Sequence, residues 1–292
     1  MVKIVTCTGN FRKKQFFKVI DKIANFFENK KNYVILLTNE FKGAGLDMDI
    51  NNNIDIDTFD NCVSKSDYIF SIGGDGTILS TVRKLGNKQI PVLGVHIGNL
   101  GFLAQTTDEN LNKALDCIIK DNYSIDKRIL LSVQINDDDF FFAWNDAVVN
   151  HGSSGRILKS RLTIDEKHSN NYTSDGIIIS TPTGSTGYSL SSGGPIIMPE
   201  LDVFNITPIS SHSLSARPIV ISSNSFIKIG FTDDFEGAAL TIDGQHRIEL
   251  KRTDIISIRK ASHYANLLML PFNDYIATLK EKLYWSGDSK KK

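Results

Sequence analysis

Near Arg128 the hydrophobic period of this 292-residue chain switches, and the switch limits what the chain can fold into. Ahead of it, strand-like runs alternate with helical spacing: Lys3 to Thr6, then Phe16, Ile20, Ile23 and Phe27, then Tyr33 to Leu37. The order repeats as Tyr68 to Ile72, a glycine turn, a helix over Ile78 to Lys84, and Val92 to Val95, which predicts a parallel sheet. A further helix is expected from Thr106, whose Thr-x-x-Glu spacing to Glu109 suits a capping box, through Leu111, Leu115 and Ile118. Beyond Arg128 period two takes over. Leu131, Val133 and Ile135, Leu162 and Ile164, Ile227, Ile229 and Phe231, and Ile256 and Ile258 alternate with polar residues, and no long helical pattern intervenes before His263. Asn136-Asp137-Asp138-Asp139 and Asp243-Gly244 supply turns. Tyr275, Leu279 and Leu283, followed by Trp285, return to helical spacing. The expected architecture is an α/β domain with a parallel sheet over 1–127 and 267–292, and a strand-rich domain over 128–266. The C-terminal segment is expected to pack back on the first domain.

Composition narrows the function classes. Hydrophobic residues at 41%, charged residues at 23% and a formal net charge of +0 describe an ordinary globular protein. A nucleic-acid binder would carry a basic stripe, whereas the densest basic cluster here is Lys290-Lys291-Lys292, read as a solvated tail. Cys7, Cys62 and Cys117 stand far apart, without zinc-ligand spacing, and read as buried thiols of a reducing compartment. The strand-like N-terminus is too brief for a signal-peptide core, and no apolar run approaches membrane-spanning length, so a cytoplasmic protein without a membrane partner is expected.

Three glycine-spaced segments carry the chemistry. In Gly73-Gly74-Asp75-Gly76-Thr77 an apolar strand ends and a helix begins, so unpaired amides at the helix start can face an anion while glycines admit phosphate oxygens. A tight strand-to-helix turn needs no ligand, and on these residues alone both readings stand. Asp75 favours the first, because a carboxylate beside phosphates is repelled unless it binds a hydroxyl, takes its proton or holds a metal ion. The run is neither a P-loop nor a Gly-x-Gly-x-x-Gly fingerprint, and no Gly-x-Ser-x-Gly elbow occurs. Gly94 to Leu103 follows a second strand as a crossover or the opposite wall of a cleft. Asp175 to Ser191 joins a buried strand to a hydroxyl-rich run suited to ribose, amide and phosphate oxygens, with Tyr188 available to lie against a base.

Together GGDGT, GVHIGNLGFLA from Gly94, Asn145-Asp146 and DGIIISTPTGSTGYSLSSGGP from Asp175 resemble the NAD kinase family in motif order and spacing over nearly the whole chain. HSLSARPIVI from His212 and Asp243-Gly244-Gln245 extend the match, and TPTGST with a tyrosine one residue on is far more specific than GGDGT. The resemblance implies transfer of the ATP γ-phosphoryl group to the 2′-hydroxyl of the adenosine ribose of NAD, making NADP. It implies Asp75 as the base, and Gly73, Gly74, Gly76 and Thr77 around phosphates. Magnesium or a similar divalent ion would be held mainly by the nucleotide phosphates, with no dedicated protein metal site. Gly76 would also lie beside NAD, Asn145 and Asp146 would hold the ribose and adenine region, and Asp175 would accept hydrogen bonds from a ligand amino group. Thr183, Thr186, Gly187, Tyr188, Ser189, Leu190 and Ser191 would complete the dinucleotide pocket.

Arg156 and Gln245 carry over on less distinctive surroundings, and Arg156 also reads as a surface arginine. His96, Asp146 and Gly187 stand where the family commonly has asparagine, glutamate and alanine. Thr173 stands where some bacterial relatives carry arginine, which leaves NAD against NADH open. The resemblance further implies a homo-oligomer, a dimer or tetramer, with a ligand site completed by a neighbouring subunit. A diacylglycerol- or sphingosine-type lipid kinase shares the GGDG turn, and a silent dinucleotide-binding regulator would keep the pocket; the hydroxyl-rich run argues against the first and Asp75 against the second. His212 beside serines reads as structural, and His151, His246 and His263 offer no metal spacing. Asp137-Asp138-Asp139 before Phe140-Phe141-Phe142 reads as a charged hairpin turn entering a buried strand.

Overall fold

The computed structural model describes residues 2–44, 54–98, 101–138, 140–152, 155–213, 215–232 and 237–284. Asn99, Leu100, Asp139, Leu214, Trp285 and Lys290-Lys291-Lys292, all named above, lie outside the described residues. The chain divides into two compact units, Met1–Asp126 with Asn266–Lys292, and Lys127–Ala265.

The first unit contains β1 (Lys3–Gly9), α1 (Lys14–Phe27), β2 (Tyr33–Thr38), β3 (Ile54–Asp57), α2 (Phe59–Lys65), β4 (Tyr68–Gly73), α3 (Asp75–Leu85), β5 (Val92–His96), β6 (Thr106–Thr107) and α4 (Leu111–Ile119). Its strands pair in parallel in the order β5-β4-β1-β2-β3, with β6 also parallel to β5. All six residues of β4 are buried, as a strand covered on both faces requires. The apolar face of α1 buries Phe16, Ile20, Ile23 and Phe27 against Val5, Leu37 and Phe70 in one core. Such side chains are worth about 2 kcal/mol each on burial, far more than helix propensity, so packing holds the helix. The chain leaves β1 toward β2 and β3 and returns to β4 on the other flank. A crevice therefore opens beyond the carboxyl ends of β1 and β4, where ligands of open α/β sheets bind.

The expected capping box at Thr106 does not form. Thr106 and Thr107 instead pair with Val95 and His96, and α4 begins at Leu111 behind Asn110, which makes no side-chain cap. Sheet pairing gives those threonines hydrogen bonds that a helix start would have supplied.

The second unit runs through β7 (Ser124–Ile135, its first three residues belonging to the first unit), β8 (Phe140–Ala143), β9 (Asp146–Asn150), β10 (Leu158–Ile164), β11 (His168–Ser174), β12 (Gly176–Ser180), the short helical turn α5 (Tyr188–Ser191), β13 (Val203–Ile209), β14 (Ile219–Ser222), β15 (Ile227–Phe231), β16 (Ala238–Ile242), β17 (His246–Leu250) and β18 (Ile256–Met269). The last residues of β18 belong to the first unit, where Leu267 pairs with Val92, and α6 (Tyr275–Leu283) completes that unit. One antiparallel sheet has the order β14-β13-β12-β9-β16-β17, and β11-β10-β15-β18 pair antiparallel in another. Period two builds the core: Leu131, Val133, Leu162, Ile227, Ile229, Ile256 and Ile258 turn inward with Ala147, Val149, Ile177 and Ile179. Asp243 and Gly244 both have positive φ, 50° and 64°, as a type I′ turn between β16 and β17 demands. Among the described residues no helix is long and apolar enough to cross a membrane.

Candidate active site

In the first unit, β4 delivers the chain into α3 at the crevice. Gly74 is the extended residue ahead of the helix, and Asp75 opens the first turn. The loop after β5 folds over that carboxylate: Phe102 N donates to Asp75 Oδ2 at 2.8 Å and Leu103 N to Oδ1 at 3.2 Å. Gly101 makes this possible, because a Cβ there would stand 2.1 Å from Asp75 Oδ1. Gly101, Phe102 and Leu103 thus form a wall over Asp75. Gln105 braces it, accepting from Gly94 N at 2.7 Å and donating to Leu103 O at 2.7 Å. His96 ends β5 beside Gly74, whose Cβ position lies 3.5 Å from His96 Nε2. Each Asp75 oxygen accepts one of these two amides, and a carboxylate oxygen has a second lone pair for a further donor.

In the second unit, alternation puts Asp146, Val148 and Asn150 of β9 on the face away from the core. They line a cavity of about 320 Å³ with Asn145, Tyr188, Thr241, Asp243 and Gly244. Asp243 anchors the entry to β9: its carboxylate accepts from Trp144 N at 3.1 Å, Asn145 N at 2.7 Å and Asp146 N at 3.2 Å. Asp146 is 4% exposed, and burial, with the nearby Asp243 carboxylate adding to it, raises its pKa to about 7.

Several hydroxyls of the Thr181 to Ser191 run serve the loop itself. Thr181 Oγ1 donates to Trp144 O and accepts from Gly184 N, and Ser185 Oγ donates to Pro182 O and accepts from Ile197 N. Thr183 is buried and accepts from Arg128 Nη1 at 3.4 Å, an arginine only 6% exposed. Thr186 donates to Thr183 O at 3.4 Å. Gly187 lies over the cavity, its Cβ position 3.6 Å from Asn145 Nδ2 and 3.8 Å from Asp146 Oδ2. Tyr188 is 47% exposed at the rim, Leu190 is half-buried, Ser191 is exposed and Ser189 is fully buried.

The cavity therefore gathers Asn145, Asp146 and Tyr188, with Gly187 above and Gln245 one residue beyond Gly244. Asp175 immediately precedes β12, half-buried, its carbonyl accepting from His151 N at 3.1 Å. Thr173 sits on β11 opposite Lys159, and Arg156 is exposed between β9 and β10; neither lines this cavity. Val148, Asn150, Thr241 and the three-amide role of Asp243 escaped the sequence reading. Period two from Asp146 would have found Val148 and Asn150.

With the parallel-sheet crevice and the cavity beside β9 in place, the comparisons are specific. Residues 5–123 match the family model for the ATP-NAD kinase N-terminal domain, and residues 144–270 match that for the ATP-NAD kinase C-terminal domain. An NAD kinase of Geobacter metallireducens is 42% identical over 224 residues, 75% of this chain and 79% of that protein. An NAD kinase of Clostridium botulinum is 40% identical over 220 residues, 74% of this chain and 78% of that protein. Yeast NADH kinase, solved with NADH, superposes with TM-score 0.87 at 25% identity, covering 100% of this chain and 89% of that one. An Archaeoglobus fulgidus NAD kinase structure shares the fold, with TM-score 0.73 at 22% identity, covering 97% and 99%. The chain belongs to the ATP-NAD kinase family.

Proposed function

We propose that the protein transfers the γ-phosphoryl group of ATP to the 2′-hydroxyl of the adenosine ribose of NAD, making NADP. The observation that carries this reading is the match of both family domains, in order, over 5–123 and 144–270, with Asp75 in the glycine turn of the first. Neither a lipid acceptor nor a silent binder gains support from the comparisons.

Asp75 accepts the ribose hydroxyl proton, and the amides of Phe102 and Leu103 support that role by fixing both carboxylate oxygens. Gly73, Gly74, Gly76 and Thr77 at the start of α3 receive phosphate oxygens, which the positive end of a helix favours. Asn145, Asp146 and Tyr188 bind the adenosine end of NAD in the 320 Å³ cavity, with Gly187 admitting the ligand close to the backbone. Asp175, Thr183, Thr186, Leu190, Ser191, Arg156, Thr173 and Gln245 belong to the outer contacts or to the frame of that pocket. Among the described residues no three His, Cys, Asp or Glu side chains converge on a metal position, and magnesium would be carried in on the ATP phosphates. When bound, the ion would share the charge of the transferring phosphates. The working form is a cytoplasmic homo-oligomer, a dimer or tetramer, which light scattering on the eluting protein would check.

Purified protein given NAD, ATP and magnesium is expected to yield NADP. Asp75→Asn should lower kcat by about a thousandfold, within the range for a lost general base, while still binding NAD. Absence of NADP in an assay that a known NAD kinase satisfies, or an undiminished rate in the variant, overturns the assignment.

A further inference from the structure

Beneath the Tyr188–Ser191 turn lies a buried polar knot, in which Asn205 donates through Nδ2 while its Oδ1 has no hydrogen-bond partner. Asn205 Nδ2, on β13, stands 2.7 Å from the Ser189 hydroxyl and 2.9 Å from that of Thr207, and the two hydroxyls are 3.1 Å apart. All three residues have 0% exposure. Gly194 seals the knot, since a Cβ on it would fall 2.3 Å from Ser189 Oγ and 2.8 Å from both Asn205 Nδ2 and Thr207 Oγ1.

β13 has no structural need of an asparagine there. Its neighbours Phe204 and Ile206 turn into the core, while Asn205 and Thr207 face the turn. A fully buried amide costs free energy that an apolar side chain would not, and apolar contact would still cover the turn. What the amide adds is direction: hydrogen bonds fix the setting of Ser189, whereas apolar packing is non-directional. Ser189 adjoins Tyr188, which lines the cavity with Asn145 and Asp146. The sheet ties the same elements together, because Asn205 is in register with Ser180 and Ser180 with Asp146.

We propose that Asn205 is a positioning residue for the dinucleotide pocket: through the Ser189 hydroxyl it sets the Tyr188–Ser191 turn, and with it the Tyr188 ring at the cavity rim. This rests on the reading of the cavity as the NAD site. Asn205 touches no substrate and acts through Ser189.

The test is steady-state kinetics with NAD and ATP varied separately, on the wild type, Asn205→Ala, Ser189→Ala, their double variant, and Asn205→Val/Thr207→Val. The last replaces Asn205 and Thr207 with apolar groups and leaves the buried Ser189 hydroxyl without a partner, so a lower melting temperature is expected and kinetics are read below it, where the variant is folded. Each variant is expected to raise KM for NAD about tenfold with KM for ATP changed less than about twofold, the mark of lost NAD contacts alone. The Asn205→Ala/Ser189→Ala double should be no worse than the worse single, as residues acting through one contact are non-additive. A wild-type KM for NAD in the folded Val/Val variant, or fully multiplicative single effects, overturns the positioning role. A wild type that makes no NADP overturns the NAD reading of the cavity and this proposal with it.

Discussion

Gly101 and Asp75 approach so closely that a Cβ on residue 101 would lie 2.1 Å from Asp75 Oδ1. Closure of the loop over the proposed base therefore depends on a hydrogen atom where any other residue has carbon. Gly101→Ala must shift either the carboxylate or the loop, and both Phe102 N and Leu103 N then lose their acceptor geometry. A displaced catalytic group costs rate more than binding, so kcat should fall about a hundredfold while KM for NAD changes little. Steady-state kinetics beside a thermal melt checks this; wild-type kcat in a folded Gly101→Ala protein would show that the loop contact does not set the base.

Asp243 holds the entry to β9 through three amides, those of Trp144, Asn145 and Asp146, and is 7% exposed. Asp243→Ala leaves buried donors without their acceptor, which should cost about 3 kcal/mol of stability. Because Asn145 and Asp146 lead from that anchor into the cavity, KM for NAD should rise while KM for ATP holds. Denaturant melts and separate KM values test both parts. Unchanged stability would mean that the amides find other partners.

The sequence carried the architecture because hydrophobic period reports burial directly. Phe16, Ile20, Ile23 and Phe27 became one helix face, and Leu131, Val133 and Ile135 one strand face. It did not carry β3 and α2: the four residues Ile54–Asp57 and the seven of Phe59–Lys65 are too short and polar to establish a period. Nor did local pattern reveal that Thr106 pairs with Val95 rather than capping a helix, since that choice lies with a neighbouring strand. The glycine and hydroxyl motifs of the site were legible. Which hydroxyls brace the loop was not: in a string of letters Ser189 reads as a ligand contact and Ser185 as one more hydroxyl of the run. Their partners Ile197 and Asn205 come from residues 12 and 16 positions away.

Asp146 gives the site a pH signature with a definite sign. Burial, and secondarily the Asp243 carboxylate, raises its pKa from 3.8 to about 7, so the folded state binds a proton that the unfolded chain releases. This group's contribution to stability is full below the unfolded value near pH 4 and is lost as pH rises toward 7. Above pH 7 an ionised Asp146 stands buried beside another carboxylate. Asp146→Asn, which keeps the size and drops the charge, should flatten the fall and be the more stable protein at pH 8, by on the order of 2 to 4 kcal/mol. Asp243→Asn should instead keep the slope and move its upper end to lower pH, because it removes only the lesser cause. Denaturant melts of the three proteins from pH 4 to pH 8 read all of this, with the unfolded-state range set by ordinary carboxylates near about pH 4. Parallel pH profiles for the wild type and Asp146→Asn would mean that Asp146 is already ionised across this range, and that its buried charge is compensated by the protein.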